Sequence, residues 1–426
     1  MYRKGIVACT IVCVGVLMVA LVISAAAQDP VLSSKEQLGS SIFFDTNLSF
    51  NQNQSCAACH GPDAGWTGPE SDINAHGAAY EGSILGRFGN RKPPSAAYAT
   101  LSPILHQDKK GLWVGGNFWN GRATGEKLGN PAADQAQGPF LNPVEQALPD
   151  SACVVYRVCN PVVPGDYPFS FEDIWGAGAC DIEWPGDVEI ACAMEGETVA
   201  LSEADRIKSD MAYDQIALSI AAYEDSPEVN AFTSKYDQTF DGKIKLTKEE
   251  QKGFALFQGK GKCKLCHITG KDALFTDFTF DNLGVPVNPE NPVYDYDPGF
   301  VDTGLGGFLM GADYPEEVYM AEWGKQKVPT LRNVDLGTDT GLIKAYGHNG
   351  YFKSLEGIVH FYNTRDVLDV CPGDYTEAEA LAANCWPAPE VPVNVNTAEL
   401  GDLGLTPDEE AAIVAFLKTL SDGYTP

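Results

Sequence analysis

The chemistry open to this chain is concentrated in two pentapeptides, Cys56-Ala57-Ala58-Cys59-His60 and Cys263-Lys264-Leu265-Cys266-His267. In each, two thiols stand three positions apart and an imidazole follows directly. Thiols at that spacing can add across the two vinyl groups of one haem, and the next histidine can ligate its iron. One short string thus sets attachment and axial ligand together. A zinc site would need a second ligand pair close by, and a thioredoxin-like dithiol would need a βαβ setting and a reducing compartment. The two strings predict two covalently bound c-type haems, one on Cys56, Cys59 and His60 and one on Cys263, Cys266 and His267.

Something must hold each string in place, and the lead-ins repeat. Ser33-Ser34-Lys35-Glu36 reads as a capping box, with Glu36, Gly39 and Phe43 ahead of the first motif. Thr247-Lys248-Glu249-Glu250 reads the same way, with Glu250, Gly253 and Phe257 ahead of the second. Each half also closes on a helical stripe: Ile216, Ile220 and Tyr223 in the first, and Ile413, Phe416, Leu417 and Leu420 after the box at Thr406-Pro407-Asp408-Glu409 in the second. This predicts a mostly α protein with two cytochrome c-like haem domains in tandem, residues 28–225 and 226–426. The Cys-, Pro- and Gly-rich segments 149–203 and 370–396 read as disulfide-stapled surface loops. Asp237-Gln238-Thr239-Phe240-Asp241-Gly242 begins like a calcium loop, but Lys243 and Lys245 stand where oxygen ligands are needed.

Residues 1–27 have the grammar of an export signal: Arg3 and Lys4, an apolar run over 5–23, then Ala25, Ala26 and Ala27. Cleavage after Ala27 leaves a periplasmic protein with no membrane insertion, and an uncleaved N-terminal anchor is the alternative. Of the 12 cysteines, six lie outside the signal and the haem motifs. Closeness in sequence favours Cys153–Cys159, Cys180–Cys192 and Cys371–Cys385, although the spacing admits other pairings. The formal charge of −29 becomes more negative when Arg3 and Lys4 leave. Such a field disfavours nucleic acid and anionic membrane and favours a protein partner with a basic face.

The chain resembles the bacterial di-haem cytochrome c peroxidase and MauG superfamily over nearly all of its mature length. The strings that carry the resemblance are Phe43-Phe44-Asp45, Phe118-Trp119-Asn120-Gly121-Arg122-Ala123, Gly138-Pro139 with Asn142-Pro143-Val144-Glu145, Val328-Pro329-Thr330-Leu331-Arg332-Asn333, and Gly347-His348-Asn349-Gly350. The resemblance implies that Glu145 is the distal acid/base at a peroxide-reactive first haem, with Gln135 as an amide beside it. It implies that Trp119 passes electrons between the haems. It also implies that His76 caps the first iron until activation, a loop histidine without metal being the other reading.

Peroxidases of this superfamily place a Met after the His-Asn/Asp-Gly string, and this chain has no Met beyond Met320. Val359-His360-Phe361-Tyr362-Asn363 stands there instead, which resembles members whose second haem is ligated by Tyr. The rival ligands are His348, His360, Met310 and Met320. The resemblance further implies one calcium ion between the domains, on the carbonyls of Lys327 and Pro329 and one amide. The amide position aligns with Lys92, and Asn90 stands two residues away. The expected function is a peroxidase or oxidase that takes hydrogen peroxide and oxidises a partner protein in the MauG manner. The alternatives are a peroxide-reducing enzyme fed by a small cytochrome or cupredoxin, and an electron carrier without distal chemistry. Monomer and homodimer both remain open.

Overall fold

Each haem string is preceded by a capped helix, and the caps explain the repeated lead-ins. In the computed structural model, which describes residues 31–160, 170–242 and 244–425, Ser33 caps the Ser34–Phe44 helix and Glu36 closes the box. Thr247 and Glu250 do the same for Lys248–Gln258. The 1–27 signal lies outside the described residues. No described helix is long and apolar enough to cross a membrane.

The glycine in each lead-in marks a helix crossing. Ser34–Phe44 packs on the closing helix Glu203–Glu224, and Lys248–Gln258 packs on Pro407–Leu417. A Cβ on Gly39 would lie 1.9 Å from the Ser219 carbonyl oxygen, and one on Gly253 would lie 1.8 Å from that of Ala412. Only glycine lets the paired backbones approach so closely. The phenylalanine one turn later fills the seam, with Phe43 edge-on to Tyr223 at 5.6 Å and Phe257 edge-on to Phe416 at 5.2 Å. Gly253→Ala is therefore expected to cost about 1–3 kcal/mol through overpacking, where an unhindered helical glycine would gain about 1 kcal/mol on the same change. Thermal unfolding of the holoprotein measures this, and an unchanged or raised midpoint would mean that the crossing relaxes.

Two hydrophobic cores lie within the compact unit Leu32–Pro426. One is built around Leu38, Phe43, Ile216, Ile220 and Tyr223, the other around Phe257, Phe275, Phe361, Ile413 and Phe416. The predicted closing stripes are buried in these cores. Among the described residues the strands are three two-residue ladders: His106–Gln107 with Trp113–Val114, Phe280–Asp281 with Gln326–Lys327, and Asp369–Val370 with Cys385–Trp386. The remainder is helix and turn.

Segment 149–203 departs from expectation. It contains the Ser151–Cys159, Phe171–Trp175 and Val188–Cys192 helices, and Ala152, Val154, Val155 and Val158 belong to the first core. Asp150 starts the first of these helices by accepting from the Ala152 amide. The disulfides correct two of the three expected pairings: they join Cys153 to Cys192 and Cys159 to Cys180, while Cys371–Cys385 is as expected. Cys153 and Cys159 lie on one rigid helix, about 9 Å apart along its axis at the helical rise per residue, too far for a disulfide. Asp237, the first residue of the rejected calcium-loop string, closes the capping box that Ser234 opens on the Lys235–Phe240 helix and pairs with Arg332 at 2.8 and 2.9 Å.

Candidate functional site

The two C-x-x-C-H strings fold into the same turn. Cys59 and His60 donate their amides to the Cys56 carbonyl at 3.1 and 3.0 Å, and Cys266 and His267 donate theirs to the Cys263 carbonyl at 3.3 and 2.9 Å. Each imidazole is then fixed through Nδ1, His60 on the Trp66 carbonyl at 3.2 Å and His267 on the Phe275 carbonyl at 2.6 Å. With Nδ1–H donating, Nε2 keeps the lone pair, the arrangement an iron ligand needs. Burial pulls His60 down to about 4 and lowers His267, so both rings are neutral.

One continuous cavity passes both strings. Its walls include Cys56, Cys59, His60, Gln135 and Glu145 of the first half, Cys263, Cys266, His267 and Tyr362 of the second, and Trp119. Glu145 sits on the turn after the Pro131–Leu141 helix, where its amide donates to the Asn142 carbonyl at 2.9 Å. Asn142 Nδ2 donates to Glu145 Oε1 at 2.7 Å, which leaves Oε2 for a ligand. Burial raises the Glu145 carboxyl above the ordinary range, against the opposing pull of Arg122 and the Asn142 amide. A buried carboxyl with one free oxygen can take and return a proton.

Trp119 is clamped at both ends. Its indole Nε1 donates to the Lys92 carbonyl at 2.8 Å, and its own carbonyl accepts from the Lys327 amide at 2.7 Å. The His348 ring meets it edge-on at 6.5 Å. Phe118 before it takes φ 62°, and Gly121 after it takes φ 74° to close the turn.

Tyr362 reaches the cavity because Leu355, Ile358, Val359 and Tyr362 form one face of the Leu355–Thr364 helix and all four line the wall. Burial raises its phenol, with the Cys263 and Cys266 thiols as the next influences. The rival ligands separate from it. His360 turns to the Glu410 carboxylate at 3.1 Å, and Met310 and Met320 are exposed. His348 lines the cavity, but from beside Trp119.

Some expected site residues are not gathered. His76 does not line the cavity: its side chain is 62% exposed, and Nδ1 turns back to the Asp72 carbonyl at 2.8 Å on its own short helix. The loop conformation, which the sequence near His76 does not specify, carries the ring outward. Asn90, Lys327 and Pro329 all line the cavity; the Asn90 backbone carbonyl accepts from Asn291 Nδ2 at 3.0 Å, and the Lys327 ammonium donates to Ser102, Gly116 and Asn117.

Of the other wall residues, Arg122, Glu224 and Lys344 were not singled out from sequence, whereas Lys92 and Lys327 were named only as calcium positions. Arg122 lies over the Phe118 ring at 3.5 Å. Glu224, the last residue of the closing helix, is pushed up to about 8 by burial. Lys92, Lys327 and Lys344 are lowered by burial to about 8, 7 and 7. Arg122 stood inside a recognised string; the Glu224 carboxyl and the Lys344 ammonium had no local signal.

The donor set fits two c-type haems. The four motif cysteines are unpaired on the cavity wall, while Cys153, Cys159, Cys180, Cys192, Cys371 and Cys385 close disulfides. The comparisons agree. Residues 33–245 match the family described as di-haem cytochrome c peroxidase. Methylamine utilization protein MauG of Paracoccus denitrificans is 33% identical over 399 residues, covering 90% of this chain and 88% of that protein. Cytochrome-c peroxidase IdrP1 of Denitromonas iodatirespirans is 26% identical over 412 residues, covering 93% and 83%. Among solved structures, the diheme peroxidase BthA from Burkholderia thailandensis aligns with a TM-score of 0.70 at 26% identity, over 92% of this chain and 87% of that one. The two matched haem turns, the shared cavity and the match to MauG over most of both chains identify this protein as an oxidoreductase of the di-haem cytochrome c peroxidase and MauG family, in which two c-type haems are expected.

Proposed function

We propose that this chain is a periplasmic enzyme that takes hydrogen peroxide at the first haem, shares the oxidising equivalents with the second, and passes them to a partner protein. Tyr362 carries the reading, since among the rival second ligands it alone shares a helix face lining the cavity beside Cys263 and Cys266. When bound, the two haems supply the irons and the two-electron capacity that reduction of peroxide requires.

Glu145 does the proton work. Oε2 takes a proton from one peroxide oxygen and returns it to the other, which leaves as water, while Asn142 steadies Oε1. Gln135 lines the same side of the cavity and orients the bound oxygen species. His60 and His267 would each hold an iron through Nε2, and Tyr362 Oη would supply the second iron's further ligand. A phenolate is a hard anionic donor and favours ferric and higher states over ferrous. Trp119, fixed at both ends, carries electrons between the halves 28–225 and 226–426.

Disulfides and thioether-bound haem belong in an oxidising compartment, consistent with removal of 1–27 on export. The charge of −29 suits a partner with a basic face. The likeness to IdrP1 favours a second reading, in which a small cytochrome or cupredoxin feeds electrons for peroxide reduction.

One equivalent of hydrogen peroxide added to the fully ferric protein, with no reductant, separates the readings. Prompt loss of both ferric electron paramagnetic resonance signals is expected. A protein that responds only after one haem is reduced is the second kind of enzyme, and one that never responds is an electron carrier.

A further inference from the structure

The wall around Trp119 carries three buried lysines that no carboxylate meets at ion-pair distance, Asp335 acting on Lys344 only from farther off. Among the described residues Lys92, Lys327 and Lys344 form no ion pair, and all three line the cavity. An ammonium has three N–H donors. Lys344 spends them on the carbonyls of Ala64, Asn333 and Leu336 at 2.6, 2.9 and 3.1 Å. Lys327 spends them on Ser102 Oγ at 2.7 Å, Asn117 Oδ1 at 3.1 Å and the Gly116 carbonyl. Lys92 uses two, on Thr67 Oγ1 at 2.9 Å and the Pro93 carbonyl at 3.0 Å.

These are cations in oxygen cages, and two of them bridge the halves. Lys327 and Lys344 belong to the second half, but Ser102, Gly116, Asn117 and Ala64 belong to the first. Lys92 and Lys327 also hold the two ends of Trp119, through the Lys92 carbonyl and the Lys327 amide. Both stand at positions where the family resemblance implies a calcium ion. The residues do not suit one. Calcium asks for six to eight oxygens, usually with carboxylates among them. A divalent ion beside Lys92 and Lys327 would meet like charge with little solvent to screen it.

We propose that the buried ammonium groups of Lys327, Lys92 and Lys344 take the place of the inter-haem calcium ion, so that this chain binds the two halves around Trp119 without calcium. A covalently tethered amine cannot dissociate from the chain, so the link between the halves does not depend on external calcium as one made by a bound ion would. The inference rests on family membership and is independent of the peroxide reading. Metal content tests the one, and the peroxide titration tests the other.

The holoprotein, purified from calcium-containing buffer and dialysed against metal-free buffer, is to be assayed for iron and calcium by mass spectrometry. Two irons and less than about one-tenth of an equivalent of calcium per chain are expected. Treatment with EGTA is expected to leave both haem spectra and the unfolding midpoint unchanged. About one calcium per chain, or a chelator-induced change in either haem that added calcium reverses, overturns the proposal. Lys327→Met keeps the stem and removes the charge. It is expected to shift the resonance spectrum and reduction potential of the haems in a way that calcium does not restore, and an unchanged, folded Lys327→Met protein would show that the ammonium only packs. If that variant does not fold, the calcium count of the unaltered protein still decides.

Discussion

Replacing Glu145 with glutamine is expected to slow the reaction of the ferric protein with hydrogen peroxide by about 10²- to 10⁴-fold, the range for loss of a positioned acid/base. Glutamine keeps the shape and can still meet Asn142, but it cannot take a proton. Haem attachment depends on Cys56, Cys59 and His60, so the resting spectra should not change. The pH profile gives a second readout. Burial raises the Glu145 carboxyl, and the carboxylate is the form that accepts the first proton. The rate for the unaltered protein should fall as pH drops, along a limb placed above the range of an exposed glutamate, and Glu145→Gln should lose that limb. Stopped-flow mixing from pH 5 to 9 measures both effects. A Glu145→Gln enzyme at full rate would remove Glu145 from the chemistry.

Tyr362→Phe should change the second haem and spare the first. The ring and its packing remain, so the stability cost is expected to stay below about 1.5 kcal/mol. Removal of the hydroxyl takes away the hard oxygen ligand. The second haem should pass from six-coordinate to five-coordinate, and its reduction potential should rise by on the order of 0.1 V or more, given how widely axial ligands set haem potentials. Peroxide should then leave the second ferric signal in place, because the higher states lose their anionic donor. Spectroelectrochemistry resolves the two haems. An unaltered potential in Tyr362→Phe would leave Tyr362 as a packed aromatic and return the question to His348, the other rival on the cavity wall.

Much of this site was legible because its parts are local. Both C-x-x-C-H strings and the capping boxes at Ser33 and Thr247 work within a few residues, where side-chain spacing alone dictates the turn. Glu145 and Trp119 were found through strings of sequence, and the structure gives each a held geometry. His76 was read from sequence position, and its loop turns it out to solvent. Segment 149–203 read as loop because its helices are short and interrupted by Pro and Gly, yet burial against the first core stabilises them.

The amino-acid sequence by itself determined which residues can attach haem, where the helices that lead into them begin, and that the two lead-ins repeat one pattern. Tertiary structure decided what faces the cavity and what pairs across it. Helix phase turned Tyr362 inward and His360 toward Glu410. Helix rigidity kept Cys153 from Cys159 and sent each to a partner farther along the chain. Long-range packing brought carbonyls of one half around lysines of the other. Burial, crossing angle and charge compensation are properties of groups distant in sequence, and no local spacing encodes them.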